Sequence, residues 1–258
     1  MLVELDISGS IAIVKLNRPE RANALNPELL KLLARLQDQL RRNHRMRAVI
    51  TLAEGPGFSA GSDLEELGGV SPKVAVQSQW LEARVCRGFL ALPQPTIAAV
   101  HGYALGGGLF LAAHHDFRVV ASDARLGCPE VKLGWNPTFG MKRLFQIAGA
   151  AALRWVITGD EFKASEALAA GLATSVVQPA DLRGEALRLA ERLAALPPAG
   201  LAAVKKALWQ KTHTGLQRAD RIGARLFRQC LAKPEAQASL RRYLKETRRE
   251  KSKRVHDR

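Results

Sequence analysis

An α/β fold follows from three features of this 258-residue chain. Short apolar runs of strand length, "RAVITLA" (47–53), "TIAAV" (96–100) and "FRVVAS" (117–122), alternate with longer stretches whose apolar residues recur at helical spacing. Two of these runs lead through glycine-bearing turns into helix starts, in "AVITLAEGPGFSAGSDLEEL" and "TIAAVHGYALGGGLFLAA". A composition of 47% hydrophobic and 24% charged residues is that of a globular chain, and the length suffices for a sizeable core.

Taken in order, "VELDISGSIAIVKL" alternates apolar and polar residues around Ser8-Gly9-Ser10 and predicts a β-hairpin. Asn26 and Pro27 then open "PELLKLLARLQDQLRR", with Asn26 as the N-cap and Pro27 at the first helical position. After strand 47–53 comes the loop "EGPGFSAGSD", then the amphipathic helix "VAVQSQWLEARVCRGFLAL", stopped by Pro93 and Pro95. Strands 96–100 and 117–122 flank the triple-glycine turn. Beyond about residue 140 the strand signal nearly vanishes: helices are expected over 139–158, 164–170 and 181–195, with one short strand at 174–178. Pro197-Pro198 marks a boundary, dividing a core (1–195) from a helical C-terminal region (196–258) with a basic tail.

Composition excludes several classes. The opening "MLVELDISGS" has neither the n-region and apolar stretch of a signal peptide nor an Arg-rich transit pattern. No apolar run reaches the roughly 18 residues of a membrane span. Cys86, Cys128 and Cys230 are too few and too widely spaced for a disulfide framework or zinc cluster, so a cytoplasmic location is expected. The net charge of +15 is concentrated: residues 196–258 carry 17 Lys/Arg against 5 Asp/Glu. Such a block suits a polyanionic ligand, nucleic acid, an anionic membrane or another subunit, or is merely a solvated helix face.

The two glycine turns suggest a specific chemistry. Glycine permits tight turning and close approach of a ligand, and backbone N–H groups at a helix start lack partners. Two such donors converging on one oxygen form an oxyanion hole. Neither turn matches G-x-G-x-x-G or G-x-x-x-x-G-K-[ST], which disfavours dinucleotide and P-loop readings. A purely structural turn is the competing reading.

Several ordered segments together resemble the crotonase (enoyl-CoA hydratase/isomerase) superfamily: "LNRPERANALN" (16–26), "FSAGSDL" (58–64), "PTIAAVHGYALGGGLFLAAHHDFRVVASDARLGCPEVKLG" (95–134), "TGDEFKASEALAAGLATSVV" (158–177) and "AVKKAL" (203–208). The resemblance covers nearly the whole chain. It implies a ClpP/crotonase-like fold, a spiral of ββα units with two roughly perpendicular sheets. It also implies a helical C-terminal region that builds a homotrimer or a dimer of trimers. The implied ligand is an acyl-CoA thioester, as in fatty acid metabolism, with coenzyme A entering as part of the substrate and no separate cofactor or metal.

By the same resemblance the oxyanion hole comprises the N–H groups of Ser62 and Gly107, flanked by Gly61 and Gly106. Arg21, Ala22, Ala60, Asp63 and Leu64 would line the CoA site, and Lys245 is the loosely aligned candidate from the C-terminal helix. Asp63 also reads as a simple helix cap. Hydratases of the family hold water between two glutamates. One matches Glu130 in "CPEVKLG"; the other position holds Phe110. A phenylalanine accepts no proton, whereas one carboxylate suffices for a 1,3-proton shift. The resemblance therefore implies a Δ3-Δ2-enoyl-CoA isomerase with Glu130 as sole acid/base. "WNPTFGMKRL" (135–144), where hydratases carry a Gly-Gly-Thr run, agrees with that.

The alternatives are a hydratase with an atypical second acid, for which Glu65 or Glu66 is a candidate, a decarboxylase, and a non-catalytic acyl-CoA- or RNA-binding member. Nucleic acid is disfavoured because Tyr243 is the only aromatic of the tail and no RNA-binding motif is present. His101, His114 and His115 lack a convincing ligand spacing and read as structural.

Overall fold

The computed structural model describes residues 1–256, with the side chains of 210, 211, 213, 214 and 248–256 outside that description. The far end of the basic tail, from residue 248 on, therefore falls largely outside the described residues.

The chain opens with the expected hairpin. Strands β1 (Val3–Ser8) and β2 (Ile11–Leu16) pair antiparallel from Val3↔Leu16 to Ser8↔Ile11, turning through Gly9 at φ +58°. The first helix α1 (Pro27–Arg42) starts where Asn26 accepts a hydrogen bond from the Leu29 N–H at 3.0 Å, and its leucine stripe 29, 30, 33, 36 and 40 is buried. Strand β3 (Ala48–Ala53) then pairs parallel with β2. After the loop 54–63 come a short helix α2 (Leu64–Gly68) and the long α3 (Pro72–Leu90). Strand β4 (Thr96–Val100) lies beside β3, and β6 (Phe117–Ala121) beside β4. These central strands are mostly apolar, with Thr51, Thr96 and Arg118 as buried exceptions, because a parallel sheet is covered on both faces.

Between β4 and β6 the chain makes β5 (Tyr103–Leu105) and α4 (Gly107–Ala113). Next come β7 (Arg125–Gly127), a 3-10 turn Pro129–Leu133, α5 (Met141–Thr158), β8 (Glu161–Lys163), α6 (Ala164–Ala169), β9 (Ser175–Val177) and α7 (Leu182–Ala194). The large sheet has the order β1-β2-β3-β4-β6-β9, and a small sheet has the order β5-β7-β8. None of the three small-sheet strands is expected from the sequence, since three residues are too few to display an alternation. The expected single helix over 139–158 also contains a break, at Gly149 (φ 49°, ψ −124°).

Two long helices, α8 (Pro198–Leu231) and α9 (Pro234–His256), complete the fold. The first of them, α8, is fastened to the core by the buried pair of Arg87 with Asp220 and the part-buried pair of Lys205 Nζ with Asp116 Oδ2. A small apolar cluster of Leu67, Ala75, Trp135, Phe227, Leu231, Ala236 and Leu240 joins these helices to α2, α3 and the 135–140 loop. No helix among the described residues is long and apolar enough to cross a membrane.

Arg18 and Asp63 form a second kind of fastening, a 2.7 Å pair with side chains 9% and 6% exposed. Arg18→Met strands the Asp63 carboxylate, and losing one partner of a buried pair costs about 3–5 kcal/mol. Urea unfolding is expected to show a loss of that order. A loss under about 1 kcal/mol would mean that the pair does not hold the 54–63 loop.

Candidate active site

Two segments far apart in sequence zip together at the end of the central strands. The N–H groups of Phe58 and Ser59 donate to the Tyr103 carbonyl at 2.9 and 3.2 Å, and the Leu105 N–H donates to the Ser59 carbonyl at 3.0 Å. Asn23 clamps the first loop: its Nδ2 donates to the carbonyls of Glu54 (2.7 Å) and Gly57 (2.9 Å), while its Oδ1 accepts from the Arg18 N–H. Ala22 and Asn23 hold left-handed φ values of 54° and 51°, unusual for residues with a side chain. Asp63 accepts from the N–H groups of Glu65 and Glu66 and so caps α2.

The three glycines of "GGG" each make room for a different neighbour. A Cβ at Gly106, whose φ is +51°, would stand 2.8 Å from Glu130 Oε1. At Gly107 it would overlap Glu82 Oε1, and at Gly108 it would overlap the Ser59 carbonyl. The turn is therefore a meeting point of the first glycine loop, the 129–133 turn and α3. Gly61, at φ +88°, brings its own loop so close that a Cβ there would stand 2.9 Å from the Gly107 nitrogen. The Gly106 N–H is satisfied by the Gly127 carbonyl at 2.8 Å. Among the described residues, no protein acceptor takes the N–H groups of Ser62 or Gly107.

A cavity of about 50 Å³ opens here, lined by Ser62, Gly106, Gly107, Phe110 and Glu130 and closed by Leu64, Leu67, Trp135, Phe139 and Phe227. Glu130 Oε2 is shielded from water and has no hydrogen-bond partner. Its pKa is pushed up to about 7 by burial, against the lowering effect of its own backbone N–H. Phe110 is 1% exposed and packs against Phe139 with ring centroids 5.5 Å apart.

A second carboxyl at this site escapes the sequence reading. Glu82, on α3, is fully buried. Its Oε2 accepts from the Ser62 hydroxyl at 2.9 Å and from Gln79 Nε2 at 3.3 Å, and its Oε1 has no partner. Burial raises its pKa to about 8; the two hydrogen bonds oppose that shift and the charge of Glu130 adds to it. The available signal was positional. Gln79, Glu82 and Ala83 fall on the helix face that also buries Ala75, Cys86, Phe89 and Leu90, and polar residues on such a face ask for an explanation. Glu65 lies instead in an ion pair with Arg21 at 2.6 Å, and Glu66 is exposed.

Arg21, Ala22, Ala60, Asp63 and Leu64 come together around an outer cleft of about 460 Å³, which Tyr103, Tyr243 and Thr247 also line. Lys245 is exposed and not among the residues lining it. Gly61 supports the inner cavity from beneath rather than lining it. The histidines bond to backbone: His101 Nε2 to the Gly55 carbonyl, His114 Nδ1 to that of Phe110 and His115 Nδ1 to that of Leu111. No group of three or more His, Cys, Asp or Glu suited to a metal occurs among the described residues.

A sequence model of the family described as enoyl-CoA hydratase/isomerase matches residues 6–253. The chain is 33% identical to a short-chain-enoyl-CoA hydratase of Clostridium acetobutylicum, over 89% of each chain. It is 32% identical to a crotonyl-CoA hydratase of Syntrophomonas wolfei, covering 93% of this chain and 94% of that one. Among solved structures, an enoyl-CoA hydratase/isomerase of Xanthobacter autotrophicus superposes with a TM-score of 0.86 at 28% identity, over 93% of this chain and 92% of the other.

The buried titratable groups make stability depend on pH in opposite senses. His114 and His115 are driven down to about 3, mainly by burial, so the unfolded chain gains protons first and stability falls as pH drops below 6.5. Glu82 and Glu130 are raised, so their contribution is complete below 4.5 and is lost as pH climbs through 7 and 8. The two effects oppose each other between 4.5 and 6.5; above 6.5 the histidine contribution is constant and the carboxyls alone remain. Urea midpoints are expected to decline from pH 6.5 to 8, with a shallower decline in Glu82→Gln. A flat profile in the wild-type protein would contradict the assigned shifts.

Proposed function

The chain belongs to the enoyl-CoA hydratase/isomerase family, and on that premise we propose that it shifts the double bond of a short-chain 3-enoyl-CoA into conjugation with the thioester, using Glu130 as the acid/base. The observation that carries this reading is the Glu130 carboxyl, with Oε1 against Gly106 and Oε2 unpartnered, in a cavity shared with Ser62 and Gly107 and walled by Phe110.

The chemistry follows from those groups. The Glu130 carboxylate takes a proton from C2 of the 3-enoyl group. The released pair conjugates through the thioester, and the negative charge gathers on its oxygen. The free N–H groups of Ser62 and Gly107 stabilise that charge without reorganising, an effect worth a few kcal/mol per donor in comparable holes. Glu130 then returns its proton at C4 as the pair settles between C2 and C3. A pKa near 7 places the carboxyl where it both accepts and returns a proton at neutral pH. The small cavity with its aromatic end supports a short acyl group, and the outer cleft with Arg21 supports a place for the CoA phosphates.

Hydration of a 2-enoyl-CoA is the second reading. Two relatives bear hydratase names, and the buried Glu82 carboxyl beside Gly107 favours it on physical grounds.

Incubation with 3-butenoyl-CoA, 2-butenoyl-CoA and malonyl-CoA, with products followed by mass spectrometry, separates isomerisation, hydration and decarboxylation. Glu130→Gln is expected to lower isomerisation by roughly 10²–10⁴-fold, the usual contribution of a positioned acid/base. The wild-type rate should rise with pH through about 7 as Glu130 ionises. Isomerisation that survives in Glu130→Gln would refute the assignment.

A further inference from the structure

We infer that Glu82 is a second proton donor of this site, carried on α3, and that it equips the protein to add water across a 2-enoyl thioester. The inference rests on the reading above for Glu130 and the oxyanion hole, and extends it to a residue outside the family pattern described for Phe110 and Glu130.

The geometry carries the case. Glu82 is fully buried, and its Oε2 is held by the Ser62 hydroxyl and by Gln79. Its Oε1 has no hydrogen-bond partner and occupies the space that a side chain at residue 107 would fill. Glu82 is not itself among the residues lining the cavity, but one of its oxygens lies against the Gly107 backbone and the other is tied to the Ser62 hydroxyl, and both of those residues line it. Gln79, which bonds to both Ser62 Oγ and Glu82, itself lines the cavity. No cation pairs with the carboxyl among the described residues; Arg87, on the same helix, is committed to Asp220. A buried carboxyl with an idle oxygen is a standing cost to the fold, which an apolar residue of similar size would avoid. Such costs are found where a group has chemistry to perform.

Both oxygens then have roles. Oε2 accepts two hydrogen bonds, so the proton of the neutral acid resides on Oε1, facing the Gly107 backbone. Burial holds both carboxyls protonated above the usual carboxylate range; the hydrogen bonds on Oε2 leave the Glu82 proton on Oε1 as the one to donate, and the unpartnered Oε2 of Glu130 serves as the base. In the step inferred, Glu130 takes a proton from water as the water oxygen bonds to C3. The C2=C3 pair moves onto the thioester oxygen at the hole, and the enolate then collapses, taking the Oε1 proton of Glu82 at C2. The product is a 3-hydroxyacyl thioester. Glu82 is left ionised and Glu130 protonated, and exchange with solvent resets both. Phe110 removes an acid from α4, and Glu82 supplies one from the neighbouring helix.

The test compares hydration of 2-butenoyl-CoA with isomerisation of 3-butenoyl-CoA in the wild type, Glu82→Gln and Glu130→Gln. Gln retains the acceptor for the Ser62 hydroxyl but has no acidic proton. The wild type is expected to hydrate, with a bell-shaped pH profile set by the two raised carboxyls. Glu82→Gln should lower the ratio of hydration to isomerisation at least 100-fold through kcat, with KM within threefold. Absence of hydration in the wild type, or an unchanged ratio in Glu82→Gln, overturns the inference and leaves the Glu130 reading standing. An equal loss of both activities in Glu82→Gln also overturns it, by assigning Glu82 to support of the hole. Isomerisation that persists in Glu130→Gln sinks the Glu130 reading instead. Should the wild type hydrate without isomerising, the isomerase reading falls and the kcat–KM split of Glu82→Gln decides for or against Glu82.

Discussion

The site depends on one packing constraint: at residues 106, 107 and 108 there is no room for a β-carbon. Glu130, Glu82 and the Ser59 carbonyl occupy the three places where side chains would be. Three elements distant in sequence are thereby brought onto one turn of backbone. The 58–59 to 103–105 ladder fixes the spacing between the two glycine loops, and Asn23, through four hydrogen bonds of its side chain and carbonyl, fixes the first loop against the strands. Held in this arrangement, the N–H groups of Ser62 and Gly107 have no protein acceptor among the described residues.

The second constraint is electrostatic. Cations of the loops and helices around the core are bound to partners other than Glu82 and Glu130. Arg18 pairs with Asp63, Arg21 with Glu65, Arg87 with Asp220 and Lys205 with Asp116. Those pairs stitch the loops and α8 to the core. The two carboxyls, with no cation paired to them among the described residues, are raised chiefly by their own burial. The same packing that stabilises the fold thus tunes the acids, and the histidines next to the site are kept neutral by their burial.

Much of this was legible in the sequence, and the exceptions share a cause. The hairpin, α1 with its Asn26 cap, the buried central strands and the crotonase fold were readable because each rests on a local pattern of several residues or on ordered motifs. The small sheet was not, because β5, β7 and β8 are three residues long and exist only through their pairing. Gly149 breaks α5 in a way that periodicity cannot report. Glu130, Ser62 and Gly107 were readable through motif resemblance. Glu82 was not: "QWLEARVC" resembles an ordinary amphipathic helix, and its single glutamate reads as surface until the register of α3 turns it inward.

The phenylalanine at 110 gains a different meaning from that register. Its ring is wedged between Phe139 and the Gly140 backbone, where a Cβ on Gly140 would stand 2.5 Å from the ring. The Gly140 N–H points to Asp220, which in turn holds Arg87 on α3. Residue 110 is thus part of the apolar wall that joins α4, α5 and α8, and a carboxylate there would have to be desolvated in the middle of that wall. Glu82 meets a milder version of the same cost, since Ser62 and Gln79 already donate to one of its oxygens. A burial penalty that is lower by two hydrogen bonds is a physical reason for the second acid to reside on α3 rather than on α4.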